Sequence, residues 1–326
     1  MAFNNLNVIN ATFQKVARGE FADNVSKRTP FLKWLQTSGC LKYWDGAGKY
    51  VHEPVFKTLR SGMTQSMDPY DTLNIVPDTN TDNVSFNRKV IRHQIVLAHE
   101  EVEQCNGQEK IIDLVKTKMK EAEMAFANDL DNMFFGDGTG SSGKDMLGLL
   151  AFIPDTQTSG TLGGFSRATN TWLQSPSISG AKSVQAFDNL RAKMSNLTNT
   201  LTYGTSKPDI YITDQTVYEG YETLSYGKWM PTSKEAYDLG FSGDLTFRGK
   251  PVVWGDNVQA SVMYALNKEA LALRVKGLKS SKDSPFEISK QYDLAPRQMV
   301  YVWVLSISGA MTCNMFRTIG KLKSIS

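Results

Sequence analysis

One stretch constrains this chain more than any other: Gln108–Phe135 reads as a single amphipathic helix. Apolar residues fall at Ile111, Val115, Met119, Ala122, Phe126, Leu130 and Met133, in steps of four, four, three, four, four and three. That spacing lines one face of a helix. The flanks are charged, with Lys110, Asp113, Lys116, Lys118, Lys120, Glu121, Glu123, Asp129 and Asp131. Asn106, with Glu109 three residues on, has the spacing of a capping box, and Gly136 suits a left-handed C-cap. At 1.5 Å per residue the helix would span roughly 40 Å, well beyond the usual three turns. A helix of that length needs an extended surface to lie against, which points to a building block rather than a compact enzyme.

The rest of the 326 residues can supply that surface. Hydrophobic content is 41% and charged content 21%, enough for a large packed core or two ordinary domains. A net charge of +3 is too small to imply nucleic-acid binding by charge alone. Cys40, Cys105 and Cys313 are odd in number and form no C-x-x-C pair, which fits free thiols in a reducing compartment. Met1–Asn10 lacks the basic-then-apolar pattern of a secretion signal, and no run of about 18 apolar residues could span a membrane.

In chain order, residues 1–28 read as a polar arm that orders against something else. Thr29-Pro30 starts a short helix with threonine as N-cap and proline in the first turn. Its Phe31, Leu32, Trp34 and Leu35 demand burial, for which a neighbouring subunit is one candidate. Residues 43–83 form an extended two-stranded excursion. Tyr50–Lys57 is one strand, and Thr58–Asn83 is a polar, turn-rich tip. Val84–Leu97 follows as a strand on the far side, its charged residues placed on an open sheet face. Residues 154–180 are rich in Gly, Ser and Thr, and mark a candidate boundary.

Beyond the boundary the texture is mixed α and β. Val184, Phe187, Leu190, Met194 and Leu197 outline a second helix, and Asp209–Thr213 a short strand. Asp214 caps a third helix through Val217, Tyr218, Tyr221 and Leu224. Leu245–Trp254 reads as strand, turn, strand. Val262–Leu266 and Ala270–Val275 read as a hairpin turning at Asn267-Lys268-Glu269. Met299–Ile307 is apolar on both faces, so it is expected to be central and covered on both sides, with the long helix a candidate cover.

The chemistry such a chain could carry is sparse. Gly138–Lys144 satisfies G-x-x-x-x-G-K, most of a phosphate-binding loop. Asp145 then stands where the motif needs Ser or Thr for magnesium, and the run follows a helix instead of opening one. His52, His93 and His99 match no zinc spacing, with or without Cys105. His99-Glu100 lacks the second histidine of a zinc-protease helix. Glu100, Glu101 and Glu103 read as a solvated or interface face. Arg274, Lys276, Lys279 and Lys282 read as a solvated basic loop, because no aromatics interleave them. No residue is assigned a catalytic, cofactor-binding or metal-ligating role, and no cofactor is expected.

The order of parts resembles the major capsid proteins of tailed bacteriophages, the Hong Kong 97-like fold, over about residues 25–320. The resemblance rests on the arm with its Trp-containing helix, the extended loop and the long helix. It rests also on Phe134-Phe135-Gly136-Asp137-Gly138-Thr139-Gly140 followed by Gly148-Leu149-Leu150, which is similar to the family's Gly-Asp-Gly-Thr then Gly-Leu/Ile pattern. Phe247-Arg248-Gly249-Lys250-Pro251-Val252-Val253 is similar to its G-x-P-V hairpin.

The resemblance implies an α+β fold with an N-terminal arm and short helix over 1–42 and an extended β-hairpin loop over 43–83. A peripheral domain follows over 84–153, its spine helix 108–135 lying on a β-sheet. A mixed α/β axial domain covers 154–297, and the C-terminal strand of 298–326 returns to the peripheral domain. It implies a non-enzymatic subunit forming pentamers and hexamers of an icosahedral virion shell, assembled in the host cytoplasm around double-stranded DNA, with no membrane. The extended loop would reach a neighbouring subunit, and DNA contact would be weak and non-specific. Only about 25 residues precede the first helix, so a separate scaffolding protein is expected in place of an N-terminal assembly domain, beside portal and decoration proteins. Lys57 lies near the loop, but the family's lysine–asparagine crosslink is not carried over to it. The competing readings are a tail or decoration component and a nucleotide-dependent enzyme using Gly138–Lys144.

Overall fold

The computed structural model describes residues 30–44, 48–57, 66–72, 80–104, 108–180, 187–225, 245–276, 287–292 and 300–325. The arm, the Thr29 cap, Cys105, Asn106, Val184, Lys279 and Lys282 lie outside the described residues. So do the side chains of Glu103, Glu109, Lys110, Ile111, Asp113, Lys116, Phe187 and Leu224.

The first elements are α1 (Pro30–Thr37), β1 (Leu41–Tyr43), β2 (Tyr50–Phe56), β3 (Thr81–Asn87), β4 (Lys89–Ala98), α2 (His99–Gln104) and α3 (Gln108–Phe135). The expected long helix is therefore present over its full range. Val115, Met119, Ala122, Phe126 and Leu130 are buried along its stripe, joined by Ala127 and Phe134. Met133 is only half-buried. The flanks depart from expectation, because Glu123 and Asp131 are buried within the subunit. Gly136 is not left-handed. Its N–H donates to Met133 O at 3.1 Å, and the left-handed residue is Gly138 at φ 80°. The helix thus ends in a tightened last turn before the chain reverses.

Two large sheets and a small β5–β6 pair follow from the later strands: β5 (Thr161–Leu162), β6 (Phe165–Ser166), β7 (Ser177–Ser179), β8 (Ile210–Thr213), β9 (Thr246–Phe247), β10 (Lys250–Trp254), β11 (Met263–Leu266), β12 (Leu271–Val275), β13 (Glu287–Tyr292), β14 (Val300–Cys313) and β15 (Gly320–Lys323). The first sheet runs β1-β12-β14-β13, with β4 also paired to β14. The second runs β7-β15-β11-β8-β10-β9. The hairpin expected across Asn267–Glu269 does not form, because β11 pairs with β8 and β15 while β12 pairs with β1 and β14. The turn at Asn267 carries the chain from one sheet to the other. The return crossing leads from β14 to β15. No single boundary separates the two sheets along the chain.

The long helix lies on the first sheet. His93 of β4 meets Phe126 at 6.0 Å, and Ile95, Leu97, Tyr301, Trp303, Leu305 and Ile307 are buried on that side. The other face is less covered than its apolar pattern predicts. Val300, Val302 and Val304 are half-buried, while Val90, Arg92, Gln94 and Val96 are exposed. The strand expected over Val84–Leu97 is two strands split at Arg88. The inward residues switch there from even positions (Val84, Phe86) to odd ones (Ile95, Leu97), and that parity change assigns the halves to different sheets.

The second sheet is a partition. Ile210, Ile212, Val253, Tyr264 and Leu266 join the main core. Their alternates Tyr211, Val252, Met263 and Ala265 pack with Leu190, Met194, Leu197 and Leu201 of α4 (Phe187–Leu201). Val217, Tyr218 and Tyr221 of α5 (Gln215–Ser225) share that second core. Period-two alternation with apolar residues on both faces makes a covered central sheet.

The end of α3 locks the halves together. Phe31 of α1 packs on Phe134 and Phe135 at 5.8 and 5.5 Å, so the burial this helix needed is found within the chain. Asn257 donates to Asp131 Oδ2 at 3.0 Å, and Gln259 donates to Phe135 O at 3.1 Å. Burial pushes the Asp131 carboxyl up to about 6, against the stabilising Asn257 bond, with nearby Asp256 adding to the rise. A carboxyl raised above its unfolded value of 3.8 binds its proton more tightly when folded. Its contribution to stability is therefore complete below about pH 4 and is lost as pH rises through about 6. Asp131→Asn should stabilise the subunit near neutral pH by at most about 3 kcal/mol and flatten its stability between pH 4 and 6. Denaturant midpoints measured across that range check this.

Candidate functional site

The β2–β3 hairpin belongs to neither large sheet, although its inward apolar residues join the main core. Its register runs from Tyr50↔Asn87 to Phe56↔Thr81, in a two-stranded sheet of its own. Two strands alone are marginal in water, so the hairpin needs an anchor. Its inward residues provide one. Val51, Val55, Val84 and Phe86 are buried, and Phe86 meets Phe152 edge-on at 5.8 Å. Gly163 of the β5–β6 turn sits so close to β3 that a Cβ there would lie 2.2 Å from Val84 Cγ1.

Glu53 occupies the same inward row, only 6% exposed, and forms the polar half of the anchor. Arg274 of β12 binds it in a bidentate pair, Nε to Oε1 and Nη2 to Oε2, the latter at 2.9 Å. Thr312 of β14 donates to Oε1 at 2.8 Å. Fork-to-fork geometry fixes direction as well as distance. The sequence carried a signal for this site: Glu53 interrupts an otherwise apolar inward row between Val51 and Val55. The composition-based reading of Arg274 as part of a solvated basic loop is corrected here, since it holds the hairpin to the first sheet.

The outward surface is different. Phe56 is 76% exposed and Tyr70 98%, and all of residues 66–72 are exposed. Lys57 pairs with Asp82 at 2.5 Å, which holds the Asp82 carboxyl below its usual range. His52 Nδ1 shares a 3.0 Å hydrogen bond with Ser85 Oγ. Aromatic groups so exposed suit a partner surface better than water.

Residues considered for chemistry do not converge. His52 lies on the hairpin, His93 faces Phe126, and His99 bonds Tyr301 Oη at 3.1 Å. No group of metal-ligating side chains occurs among the described residues. Burial pushes the Cys40 thiol up to about 11 and raises Cys313 further, so both are poor nucleophiles. Glu100 is exposed, while Glu101 lies 3.6 Å from Lys118.

The Gly138–Lys144 loop folds onto itself. Asp137 accepts from Thr139 N and Oγ1 at 2.9 and 2.7 Å, and Lys89 donates to Gly143 O. A Cβ on Gly140 would lie 2.0 Å from Asp145 Oδ2, and one on Gly148 within 2.5 Å of the Met133, Phe134 and Gly136 carbonyl oxygens. The glycines serve close packing at a helix C-terminus, whose partial negative charge repels phosphate.

A buried cation sits nearby. Arg167 is 2% exposed and donates to the carbonyls of Ala151, Phe152 and Leu173 at 2.5, 3.1 and 3.4 Å. Those carbonyls include the end of the single helical turn Leu149–Phe152, where a cation is favoured. Burial draws its pKa down, which measures the cost that these bonds offset.

Arg274→Ala should leave Glu53 buried without its partner and cost about 3–5 kcal/mol. Hydrogen exchange should show β2 and β3 losing protection before α4 and α5 do. Equal loss across both cores would contradict the anchor.

Solved structures similar to this chain share one architecture. A cyanophage A-1(L) capsid subunit aligns with a TM-score of 0.69 at 16% identity, covering 92% of this chain and 93% of that one. The capsid of an empty GTA particle aligns with 0.60 at 11% identity, over 90% of each chain. The holo-SrpI encapsulin of Synechococcus elongatus PCC 7942 aligns with 0.55 at 8% identity, over 90% and 88%. No family model and no curated protein sequence matches the chain. The chain has the Hong Kong 97-like capsid fold.

Proposed function

We propose that this chain is the major head protein of a tailed bacteriophage. Copies of it assemble as pentamers and hexamers into an icosahedral shell around double-stranded DNA. The observation that carries this reading is the extent of the structural match, which takes in about nine-tenths of this chain and of each capsid subunit. Little of either chain is left over for another task.

In this reading the first sheet with α3 is the peripheral domain, and the second sheet with α4 and α5 is the axial domain. The hairpin reaches a neighbouring copy, where burial of Phe56 and Tyr70 would remove large apolar surface from water. The role is structural and not catalytic. A separate scaffolding protein, a portal and decoration proteins are the expected partners during assembly in the host cytoplasm. Packaged DNA would be touched weakly, without sequence preference and in a salt-sensitive manner.

Electron microscopy of the expressed protein, with its scaffold, tests this. Closed shells with five- and six-fold clusters are expected. Rings or tubes would favour a tail component, and persistent monomers would count against assembly altogether. Shells recovered from infected cells that hold protein cargo and no DNA would ally the chain with encapsulins instead. Removing residues 58–80 should leave a folded subunit by circular dichroism and abolish closed shells. Normal shells from that variant would refute the role assigned to the hairpin.

A further inference from the structure

We infer that the junction between the end of α4 and the β9–β10 turn is a binding site for phosphate-bearing anions. An open depression of about 410 Å³ lies there, lined by Thr198, Asn199, Thr202, Lys207, Arg248 and Lys250 among others. The Asn199 amide and three cations supply its donors, whereas the Thr198 and Thr202 hydroxyls already donate to the Met194 and Thr198 carbonyls, each at 2.7 Å.

The charges do not cancel. Lys250 is spoken for by Asp209, at 3.1 Å. Arg248 is held by neutral oxygens only: Asn199 Oδ1 at 2.7 Å and Ser195 Oγ at 2.6 Å, with the Phe247 ring beneath it at 5.6 Å. The guanidinium is thus fixed in place with N–H donors to spare and no carboxylate partner among the described residues. Lys207 is exposed and makes no ion pair among the described residues. Glu269, the other nearby carboxylate, accepts from Ser206 Oγ at 2.6 Å. The C-terminal end of α4 adds only about half a negative charge, which leaves the depression positive.

Backbone conformation adds a separate observation. Arg248 and Gly249 form a two-residue turn with φ of 52° and 76°. Both central positions of such a turn favour Gly, Asn or Asp. An arginine in the left-handed region is strained, and strain of this kind collects where a side chain is needed. Nothing in the turn's own geometry calls for arginine, whereas the depression beside it uses the charge.

The shared ligand chemistry is the phosphate group, from a soluble polyphosphate or from a nucleic-acid backbone. The inference does not depend on the shell reading, since a dissociated subunit would bind as well. Calorimetry with inorganic triphosphate, in phosphate-free buffer, forms one arm. Fluorescence anisotropy with a DNA duplex of about 20 base pairs over a salt series forms the other.

Saturable binding in at least one arm is expected, weakened about tenfold or more by Lys207→Gln and by Arg248→Asn. Arg248→Asn suits the left-handed turn, so its melting temperature should match or exceed that of the parent chain. If that variant nevertheless unfolds, the exposed Lys207→Gln decides. Lys144→Ala should change nothing, which separates this site from the glycine loop. Loss confined to triphosphate identifies a soluble ligand, and parallel loss in the duplex arm identifies the backbone. No binding in either arm, or binding indifferent to both variants, overturns the inference.

Discussion

The packing around Phe134 and Phe135 is the contact on which most of this structure depends. Both rings are buried, and each is touched by Phe31. Tyr264 of the second sheet packs at a tilt against Phe135, ring centroids 6.0 Å apart, and Gln259 donates to the Phe135 carbonyl. Gly148 lets the returning chain lie against the carbonyls of the last helical turn. Any side chain at 148 would push backbone apart from backbone, since none of the opposing atoms can rotate away. One helix end thus fixes the entry of the chain, its reversal, and the spacing of two sheets.

Buried charge is the second device, and each instance joins a peripheral piece to a core. Glu53 with Arg274 ties the hairpin to the first sheet. Arg167 gathers three carbonyls from the ends of two short helical turns that follow α3 in the chain. Lys321, fully buried in β15, reaches the largely exposed Asp155 at 2.6 Å and holds its carboxyl below the usual range. Pairs of this kind add little net stability compared with apolar packing, yet breaking one strands a charge. They therefore specify where an appendage sits more than how strongly the whole is held.

The sequence shows some of this and hides the rest for physical reasons. The long helix, α1, α4 and the β9–β10 hairpin are legible because their signals are local: periodicity, a proline start, a glycine turn. Pairing is not local. Asn267-Lys268-Glu269 has hairpin chemistry, but β11 and β12 face opposite neighbours, and only the register of β8 and β14 decides that. The covered valine face expected of β14 failed similarly, since apolar character on both faces does not say what lies beyond each. The split at Arg88 was missed for the same reason, because Val90, Ile91 and Val96 put apolar residues at both parities and only burial shows the inward set changing from Val84 and Phe86 to Ile95 and Leu97. Glu53 could be spotted in its row, but not its partner 221 residues away.

The chain passes from the first sheet to the second between β4 and β7, crosses back after β11 and crosses again after β14. Those three covalent links join layers that side chains alone would otherwise hold. A force pulling the layers apart would load peptide bonds in parallel, instead of peeling contacts one at a time. Under such a load the layers would part by strand extraction rather than by interface slip. The hairpin would yield first, since the Glu53–Arg274 pair, the Thr312 hydrogen bond and one apolar row hold it in place of a shared strand ladder.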